Sequence, residues 1–375
     1  MKILIDARLY GLENTGIGRY SFHLVNELSK MDKSSEYFLL LREKYYKTLS
    51  LPKNFHKILA KSRHYSFYEQ IEIPKLIRNV NPDISHFLHF NVPLFYKGRY
   101  LVTIHDLLMH RQKSRDASTL NPLFYGVKRL GYGVVFKNAV LNAKSIIVPT
   151  NTIREELGAF YKIDMKKIEV IYEGVELNKE KDKDSKCLRE KLPKKYFIYA
   201  GNAYPHKNLE RVIEAIVFLN KTKFGEDEPV KLVLVIPRGV FRERLKDKIK
   251  KYNAGQYVEI LGYLEDWELA YCYSNSLAFV YPSFYEGFGL PGLEAIKSGT
   301  LSLVSNIAVF REVYKNYAIY FNPYDFSAIE RAMEDVLTME DSKRKKMISE
   351  GKRYVSKFSW SDTARNTLDL YEKSV

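Results

Sequence analysis

Between Ala278 and Asn306 the chain reads AFVYPSFYEGFGLPGLEAIKSGTLSLVSN. The order of residue types predicts strand, glycine loop, helix and strand. Ala278 to Tyr281 is a short apolar run suited to a parallel strand buried on both faces. Pro282 ends it, because proline has no N–H for the ladder. In Glu286-Gly287-Phe288-Gly289 the two glycines let backbone approach a ligand closely. Pro291 fits the first turn of a helix, where its missing N–H is not needed. Leu293 and Ile296 then face inward, Gly299 closes the helix, and Leu301 to Val304 forms the next buried strand. Two carboxylates, Glu286 and Glu294, are carried by this unit, the first in the loop and the second between one and two turns into the helix. Free N–H groups at such a helix start can meet a phosphate or a sugar hydroxyl.

The string YEGFGLPGLEA resembles the Glu-x7-Glu segment of retaining glycosyltransferases of the GT-B fold, family 4, with both glutamates, both loop glycines and the proline in place. A bare pair of glutamates at that spacing is weak; the full string in its strand–loop–helix context is specific. The resemblance covers nearly the whole chain and is strongest from Tyr196 onward. It implies an α/β fold of two Rossmann-like, doubly wound domains facing across a cleft, with a C-terminal helix crossing back to the N-terminal domain.

The first half alternates strand and helix, as such a domain should. Met1 to Ala7 reads as a strand, and Gly16-Ile17-Gly18-Arg19-Tyr20 opens a helix carrying Leu24, Val25 and Leu28. This imitates half of a dinucleotide fingerprint, but Ser21 stands at the third glycine position and the loop is too long. In the resembled family, Gly16 and Gly18 would lie near the donor phosphates; packing of helix on strand is the simpler use of two glycines. Tyr37 to Leu41, Asp83 to Leu88 and Tyr100 to Ile104 are further strands, with a helix over Phe67 to Val80. The last of these strands delivers His105-Asp106 at its carboxyl end, where ligands of open α/β sheets bind. His105 within TIHDL is similar to the family's histidine that approaches the donor sugar, while Asp106 orients the loop or the ring. His86 and His89 read as structural or acceptor-side.

Met109 to Lys144 is expected to be mostly helical, basic and aromatic; Lys128, Arg129 and Lys137 beside Tyr125, Tyr132 and Phe136 suit either an anionic membrane face or a solvated helix on the sheet. Lys167 to Tyr172 is the last strand of this half, and Glu173-Gly174-Val175-Glu176 resembles the family's exit from the domain. The expected domains are 1–177 on the acceptor side, a charged connection 178–194, a nucleotide-sugar-binding domain 195–357 and a crossover helix 358–375. Asp182-Lys183-Asp184 lies in the lysine-rich connection and reads as solvated linker, so no metal site is inferred.

The second half opens with strand Tyr196 to Ala200, a loop from Gly201 to Pro205 that contains Asn202, and a helix over Asn208 to Leu219. His206-Lys207-Asn208 occupies the loop-to-helix junction, a place for anions. The family often has Arg-Lys-Asn there; histidine stands first here, so Lys207 carries over as the diphosphate-binding cation, and any charge on His206 depends on pH. Tyr263 and Leu264 follow the strand Tyr257 to Leu261, at the turn that in the family lies beside the nucleotide base. The resemblance therefore implies a donor site of Gly16, Gly18, Asn202, His206, Lys207, Tyr263, Leu264, Glu286, Gly287, Phe288, Gly289, Leu290 and Glu294. His105, Lys207 and Glu286 are its catalytic candidates.

At 375 residues, 46% hydrophobic and 28% charged, the chain has the composition of a globular protein with room for two cores. Two cysteines, Cys187 and Cys272, at no zinc-like spacing point to a reducing compartment. The apolar run in MKILIDARLYG is short for a secretory leader, and no window nears the roughly 18–20 apolar residues of a membrane span. The expectation is a cytoplasmic protein, peripheral at most on the inner face of a membrane. A net charge of +15 suits anionic lipid or phosphate-bearing ligands as well as plain solubility. No zinc-finger, helix-turn-helix or RNP-like signature points to nucleic acid.

Transfer from a nucleotide diphosphate sugar places negative charge on the departing diphosphate and positive character on the anomeric carbon, so fixed donors at the phosphates are needed. Lys207 and the N–H groups near Gly287 to Leu290 can supply them without a metal or other cofactor. Glu294 offers two acceptor oxygens suited to a ribose diol, its role in the family, and Glu286 is placed for donor-sugar hydroxyls. The expected activity is a retaining transfer of a hexose, mannose from GDP-mannose first and UDP-sugars next, to a glycan or lipid-linked acceptor in surface polysaccharide synthesis. A nucleotide-sugar epimerase of the same architecture, or a non-catalytic glycan- or membrane-binding subunit, stays open beside it.

Overall fold

A computed structural model describes residues 1–111, 122–177, 186–224 and 228–375. The chain divides into two units, Met1–Gly174 with Phe358–Val375, and Val175–Lys357. The Asp182-Lys183-Asp184 run, most of HRQKSRD and the side chain of Tyr125 lie outside the described residues.

The first unit is built on seven strands, β1 (Lys2–Asp6), β2 (Glu36–Leu41), β3 (Phe55–Leu59), β4 (Ile84–Phe87), β5 (Tyr100–Thr103), β6 (Ser145–Val148) and β7 (Ile168–Val170). They pair in parallel throughout, in the order β3-β2-β1-β4-β5-β6-β7. The helices between them are α1 (Thr15–Met31), α2 (Glu43–Thr48), α3 (Glu69–Val80), α4 (Leu108–Arg111), α5 (Pro122–Asn142) and α6 (Asn151–Tyr161). Central strands are buried almost end to end, β4 and β5 at every residue, which is why they read as unbroken apolar runs. The weakly patterned β3 escapes a sequence reading because three of its five residues are only half-buried.

The second unit repeats the plan. Helix α7 (Lys186–Lys191) leads into β8 (Tyr196–Ala200), α8 (Leu209–Leu219), β9 (Lys231–Val235), α9 (Val240–Lys251), β10 (Val258–Leu261) and α10 (Asp266–Ser274). It continues through β11 (Phe279–Tyr281), α11 (Leu290–Ser298), β12 (Ser302–Ser305), α12 (Ala308–Tyr314), β13 (Ile319–Phe321), α13 (Phe326–Leu337) and α14 (Asp341–Val355). The sheet is again parallel, in the order β10-β9-β8-β11-β12-β13. Helix α8 shows how the packing is encoded: Leu209, Val212, Ile213, Ile216 and Leu219 recur at helical spacing and are buried. In each sheet the chain winds outward from one strand, then returns to that strand's other side. The switch points lie between β1 and β4 and between β8 and β11.

The last helix, α15 (Trp360–Ser374), belongs to the first unit and packs on α1. The Trp360 ring stacks on His23 at 4.7 Å, and Thr363 donates its hydroxyl to the Tyr172 carbonyl at 2.8 Å. Tyr371 shares a 2.6 Å hydrogen bond with Nδ1 of His86, whose Nε2 meets Thr103 at 2.8 Å. Burial pushes His86 down to about 3, so it is a neutral core residue, the structural half of its sequence reading. A correction is needed on α5. Phe136 is fully buried and Tyr132 is half-buried against His110, so neither lines an outer aromatic face. The outward stripe is Leu130, Val134 and Leu141, with Lys128 and Lys137 exposed beside it. Among the described residues no helix is long and apolar enough to cross a membrane.

Gly174 tests the docking of α15. A Cβ there would lie 2.2 Å from the Trp360 backbone nitrogen and 2.5 Å from its Cγ, whereas at Gly131 in α5 it would meet open space. Gly174→Ala should lose about 1–3 kcal/mol through overpacking and melt several degrees lower. Gly131→Ala should melt no lower than the parent, since alanine favours a helix interior by about 0.5–1 kcal/mol. Equal melting temperatures for the two variants would contradict this packing.

Candidate functional site

The carboxyl ends of β8 and β11 flank the switch point of the second sheet, where open α/β sheets bind ligands. Two loops meet there. The loop after β8 makes one 3₁₀ turn, Pro205–Lys207, and α8 begins behind it. The loop after β11 carries Ser283 to Gly289 into α11. They are joined by backbone, from Phe284 N–H to the His206 carbonyl at 2.9 Å, and by side chains, from Lys207 Nζ to Glu286 Oε1 at 2.5 Å. Lys207 and Glu286 are only 11% and 12% exposed in their side chains, so the pair is withdrawn from solvent. The Tyr281 ring, at the end of β11, lies 5.5 Å from the Lys207 ammonium.

Asn208 holds this corner. It adopts φ +56°, a left-handed conformation that asparagine tolerates better than most side-chain-bearing residues. Its amide nitrogen donates to the carbonyls of Pro282 and Pro323, at 3.0 and 2.8 Å. One side chain thus ties the loops after β8, β11 and β13 together. The sequence reading passed it over as a neighbour of Lys207; asparagine at a helix start after a short turn was the available signal.

Burial raises the Glu286 carboxyl, but the Lys207 ammonium, through its charge and its hydrogen bond, holds it below the usual carboxylate range. Burial and Lys207 together push His206 down to about 4. His206 is therefore neutral near pH 7, and the pH-dependent charge allowed by its sequence reading is absent there. Lys207 supplies the positive charge of this turn.

Gly289 precedes α11 at φ +104°, in the region that favours glycine, and a Cβ there would press on Phe310 and Tyr314. Tyr314 donates its hydroxyl to the Gly289 carbonyl. Gly289, at the N-cap, has no side chain to cap α11, Pro291 has no N–H, and the Tyr314 hydroxyl meets the Gly292 N–H, so the Leu290 N–H is the donor this helix start can offer an anion or a sugar hydroxyl. Phe288 and Leu290 are buried walls, and Gly287 is half-buried between them and Glu286. Glu294 lies within α11 and is 4% exposed. Asn202 accepts the Tyr199 hydroxyl on its carbonyl at 2.7 Å, just past Gly201. Tyr263, 61% exposed, and Leu264 follow β10, which is separated from β8 by β9. The structure thus gathers His206, Lys207 and Glu286 at one corner and keeps Gly287 to Glu294 on the adjoining loop and helix. Tyr263 and Leu264 stand farther along the same sheet edge.

Gly16, Gly18 and His105 belong to the first unit. Gly16 faces open space in the first turn of α1, whereas a Cβ on Gly18 would lie 2.1 Å from the Gly11 carbonyl. Gly18 therefore serves the close passage of the loop before α1. His105, two residues beyond β5, places Nδ1 3.2 Å from Glu173 Oε1 and Nε2 3.0 Å from the Leu88 carbonyl. Asp106 accepts the Leu108 N–H at 2.8 Å and so orients the loop. At the switch point of this sheet Arg8 is fully buried between Asp6 and Glu69, each at 2.6 Å, a network invisible in the sequence because Glu69 is far along the chain. A pocket of about 770 Å³ opens at the amino ends of β4 and β5, lined by Ile71, Arg78, Phe95 and Arg99 among others. It contains none of the candidate residues.

The family described as Glycosyltransferase Family 4 matches residues 14–179, and that described as Glycosyl transferases group 1 matches residues 180–354. The chain is 25% identical to the O-antigen chain mannosyltransferase RfbU of Salmonella typhimurium over 359 residues, 90% of this chain and 96% of that one. Its fold is similar to that of sucrose-phosphate synthase from Thermosynechococcus elongatus, with a TM-score of 0.76 at 18% identity over 99% of this chain and 98% of that one. It is also similar to that of Anabaena HepE solved with UDP and glucose, with a TM-score of 0.74 at 14% identity over the whole of both chains. Two doubly wound parallel sheets, a lysine–glutamate pair at the second switch point and family matches over most of the sequence lead to one conclusion: the chain belongs to the group 1, family 4 glycosyltransferases of the GT-B fold.

Proposed function

We propose that this glycosyltransferase moves mannose from GDP-mannose, with retention of anomeric configuration, to a glycan or lipid-linked acceptor in surface polysaccharide synthesis. The observation that carries the reading is the buried Lys207–Glu286 pair beside the glycine N-cap of α11. Similarity to an O-antigen chain mannosyltransferase supports the sugar and the pathway class, and similarity to a fold solved with UDP and glucose supports a nucleotide-sugar donor.

In the absence of donor, Lys207 is neutralised by Glu286. An arriving diphosphate gives the ammonium a second anion, and the Leu290 N–H at the start of α11 adds a donor that needs no reorganisation as charge develops on the leaving group. Glu286 is a weak candidate for a covalent nucleophile, because its oxygen is committed to Lys207 and its carboxyl is held acidic. It serves instead as a sugar-binding and electrostatic group, and the leaving phosphate helps to deprotonate the acceptor at the same face of the sugar. Glu294 holds the ribose diol. With Lys207 and backbone dipoles stabilising the diphosphate, the reaction runs without a metal or other cofactor. The Leu130, Val134 and Leu141 stripe of α5, flanked by Lys128 and Lys137, docks on anionic lipid at the inner face of a membrane, where a lipid-linked acceptor is reached.

A donor panel of UDP-, GDP-, ADP- and dTDP-sugars, read by binding and slow hydrolysis, tests the class and should select GDP-mannose; failure to bind any of them would overturn the reading. Glu294→Ala should weaken nucleotide binding by about 1.5–3 kcal/mol, roughly 10- to 150-fold in Kd. Glu286→Ala should depress turnover more than affinity. Each single variant of the pair also strands a buried charge, so melting curves must accompany binding. Unchanged affinity in folded Glu294→Ala and Lys207→Ala proteins would refute the donor site.

Activity should survive EDTA at full rate, and a strict manganese or magnesium requirement would show that leaving-group stabilisation lies elsewhere. On vesicles containing anionic lipid the protein should co-sediment at low salt and release at high salt, each basic residue contributing about 1 kcal/mol. Lys128→Glu combined with Arg129→Glu should weaken that binding. Retention in the supernatant at low salt would remove membrane docking from the account.

A further inference from the structure

His105 has hydrogen-bond partners that fix its protonation. Its Nδ1 faces the Glu173 carboxylate and its Nε2 faces the Leu88 carbonyl, at 3.2 and 3.0 Å. Both partners can only accept. A neutral imidazole has one N–H and one lone pair, so it would set a lone pair against an acceptor on one side. The imidazolium has two N–H groups and satisfies both. The side chains of His105 and Glu173 are 13% and 8% exposed, so water does little to relieve a mismatch, and an unmet polar contact at such a site is costly.

The remaining neighbours agree. Tyr20 of α1 presents its ring edge-on to His105 at 4.8 Å, and burial keeps its hydroxyl un-ionised. His86 of β4 and His89 just beyond it are each pushed down to about 3, by burial first and by the charge of His105 second. Asp106, next in the chain, adds a negative charge that favours the imidazolium. Three histidines thus share one end of the first sheet, and the one beside a carboxylate is the one whose surroundings favour the charged form. Glu173 comes from the segment following β7 and Leu88 from the segment following β4, so the charged ring also links two separate stretches of that rim.

We propose that His105 works as an imidazolium, a fixed positive charge at the carboxyl end of β5, and that Glu173 is the positioning residue that holds this charge in place. With both ring N–H groups engaged, His105 does not act as a proton-accepting base; it contributes charge and orientation. Burial alone would lower its pKa, but the hydrogen bond and charge of Glu173, with the Leu88 carbonyl, outweigh burial and raise it above its ordinary value. The sign follows. A raised value means that the charge, and the stability it contributes, are fully present below the unfolded value of about 6.5 and are lost as pH rises through the folded value. The link to turnover rests on the donor-transfer reading above; the protonation state does not.

The test uses the full chain with isotopically labelled histidine, the His105 resonances being identified by their loss in His105→Asn. In the parent protein His105 should titrate above about 6.5. In Glu173→Gln, which keeps shape and removes charge, the midpoint should fall by about one unit or more, and the alkaline limb of kcat/KM should move down with it. Glu173→Asp, which keeps the carboxylate, should restore most of both and guards against a folding defect. A parent His105 that titrates at or below its ordinary value, or a midpoint unmoved by Glu173→Gln, would overturn the proposal. So would a shifted midpoint with an unshifted alkaline limb in an active enzyme. The predicted midpoint shift in a protein that turns over no nucleotide sugar would support the Glu173–His105 pair and count against the transfer reading instead.

Discussion

The contact on which the proposed chemistry of the second unit depends is the ammonium–carboxylate bond between Lys207 and Glu286. Withdrawing two charges from water costs several kcal/mol per ion, and their mutual attraction offsets this only when geometry is good and the charges are paired. A fold optimised for stability alone would be served as well by apolar residues here. The pair sits at the sheet's switch point, where the topology leaves a crevice beyond the strand ends. In the proposed reading this buried cation, already paired with a carboxylate, takes the donor diphosphate as a second anion, and the Leu290 N–H at the adjoining helix start serves the same purpose.

The surrounding architecture keeps that corner rigid. Asn208 spans three loops with one amide, Gly289 takes a backbone turn closed to most residues, and Tyr314 fixes the Gly289 carbonyl from α12. The first unit shows the same principle with other residues. Arg8 is pinned between Asp6 and Glu69 at one switch point, and His105 is pinned between Glu173 and Leu88 nearby in the sheet order. In both units charged groups at strand ends are held by partners from distant segments, so little reorganisation is needed when a ligand brings its own charge.

Much of this was legible in the amino-acid order, for a physical reason. Parallel strands buried on both faces are short apolar runs, and the helices between them carry one apolar face, so β1, β5, β8 and α8 announce themselves. The glycine–proline grammar of Glu286 to Gly299 also located α11 to within a residue at its start. Strand β3 was not legible, because its side chains are only partly buried and lose the alternation or continuity that marks a strand. The outer face of α5 was misjudged because Phe136 is apolar and aromatic whether it faces lipid or core, and its burial is decided by tertiary packing. Partnerships across large sequence separation, Glu173 with His105 and Glu69 with Arg8, leave no local trace at all. For His206 the local signal was half present: Lys207 beside it in the chain disfavours a charge, but burial, the larger cause of its neutrality, is decided by tertiary packing.

The central claim is that donor binding occurs at the β8–β11 switch point of the second unit. Amide hydrogen exchange with and without GDP-mannose reads this directly, since it reports protection segment by segment. The account predicts protection concentrated in residues 202–208 and 286–294, with little change at the amino ends of the same strands. Donor binding that leaves both of those segments unprotected, with protection elsewhere, would contradict it.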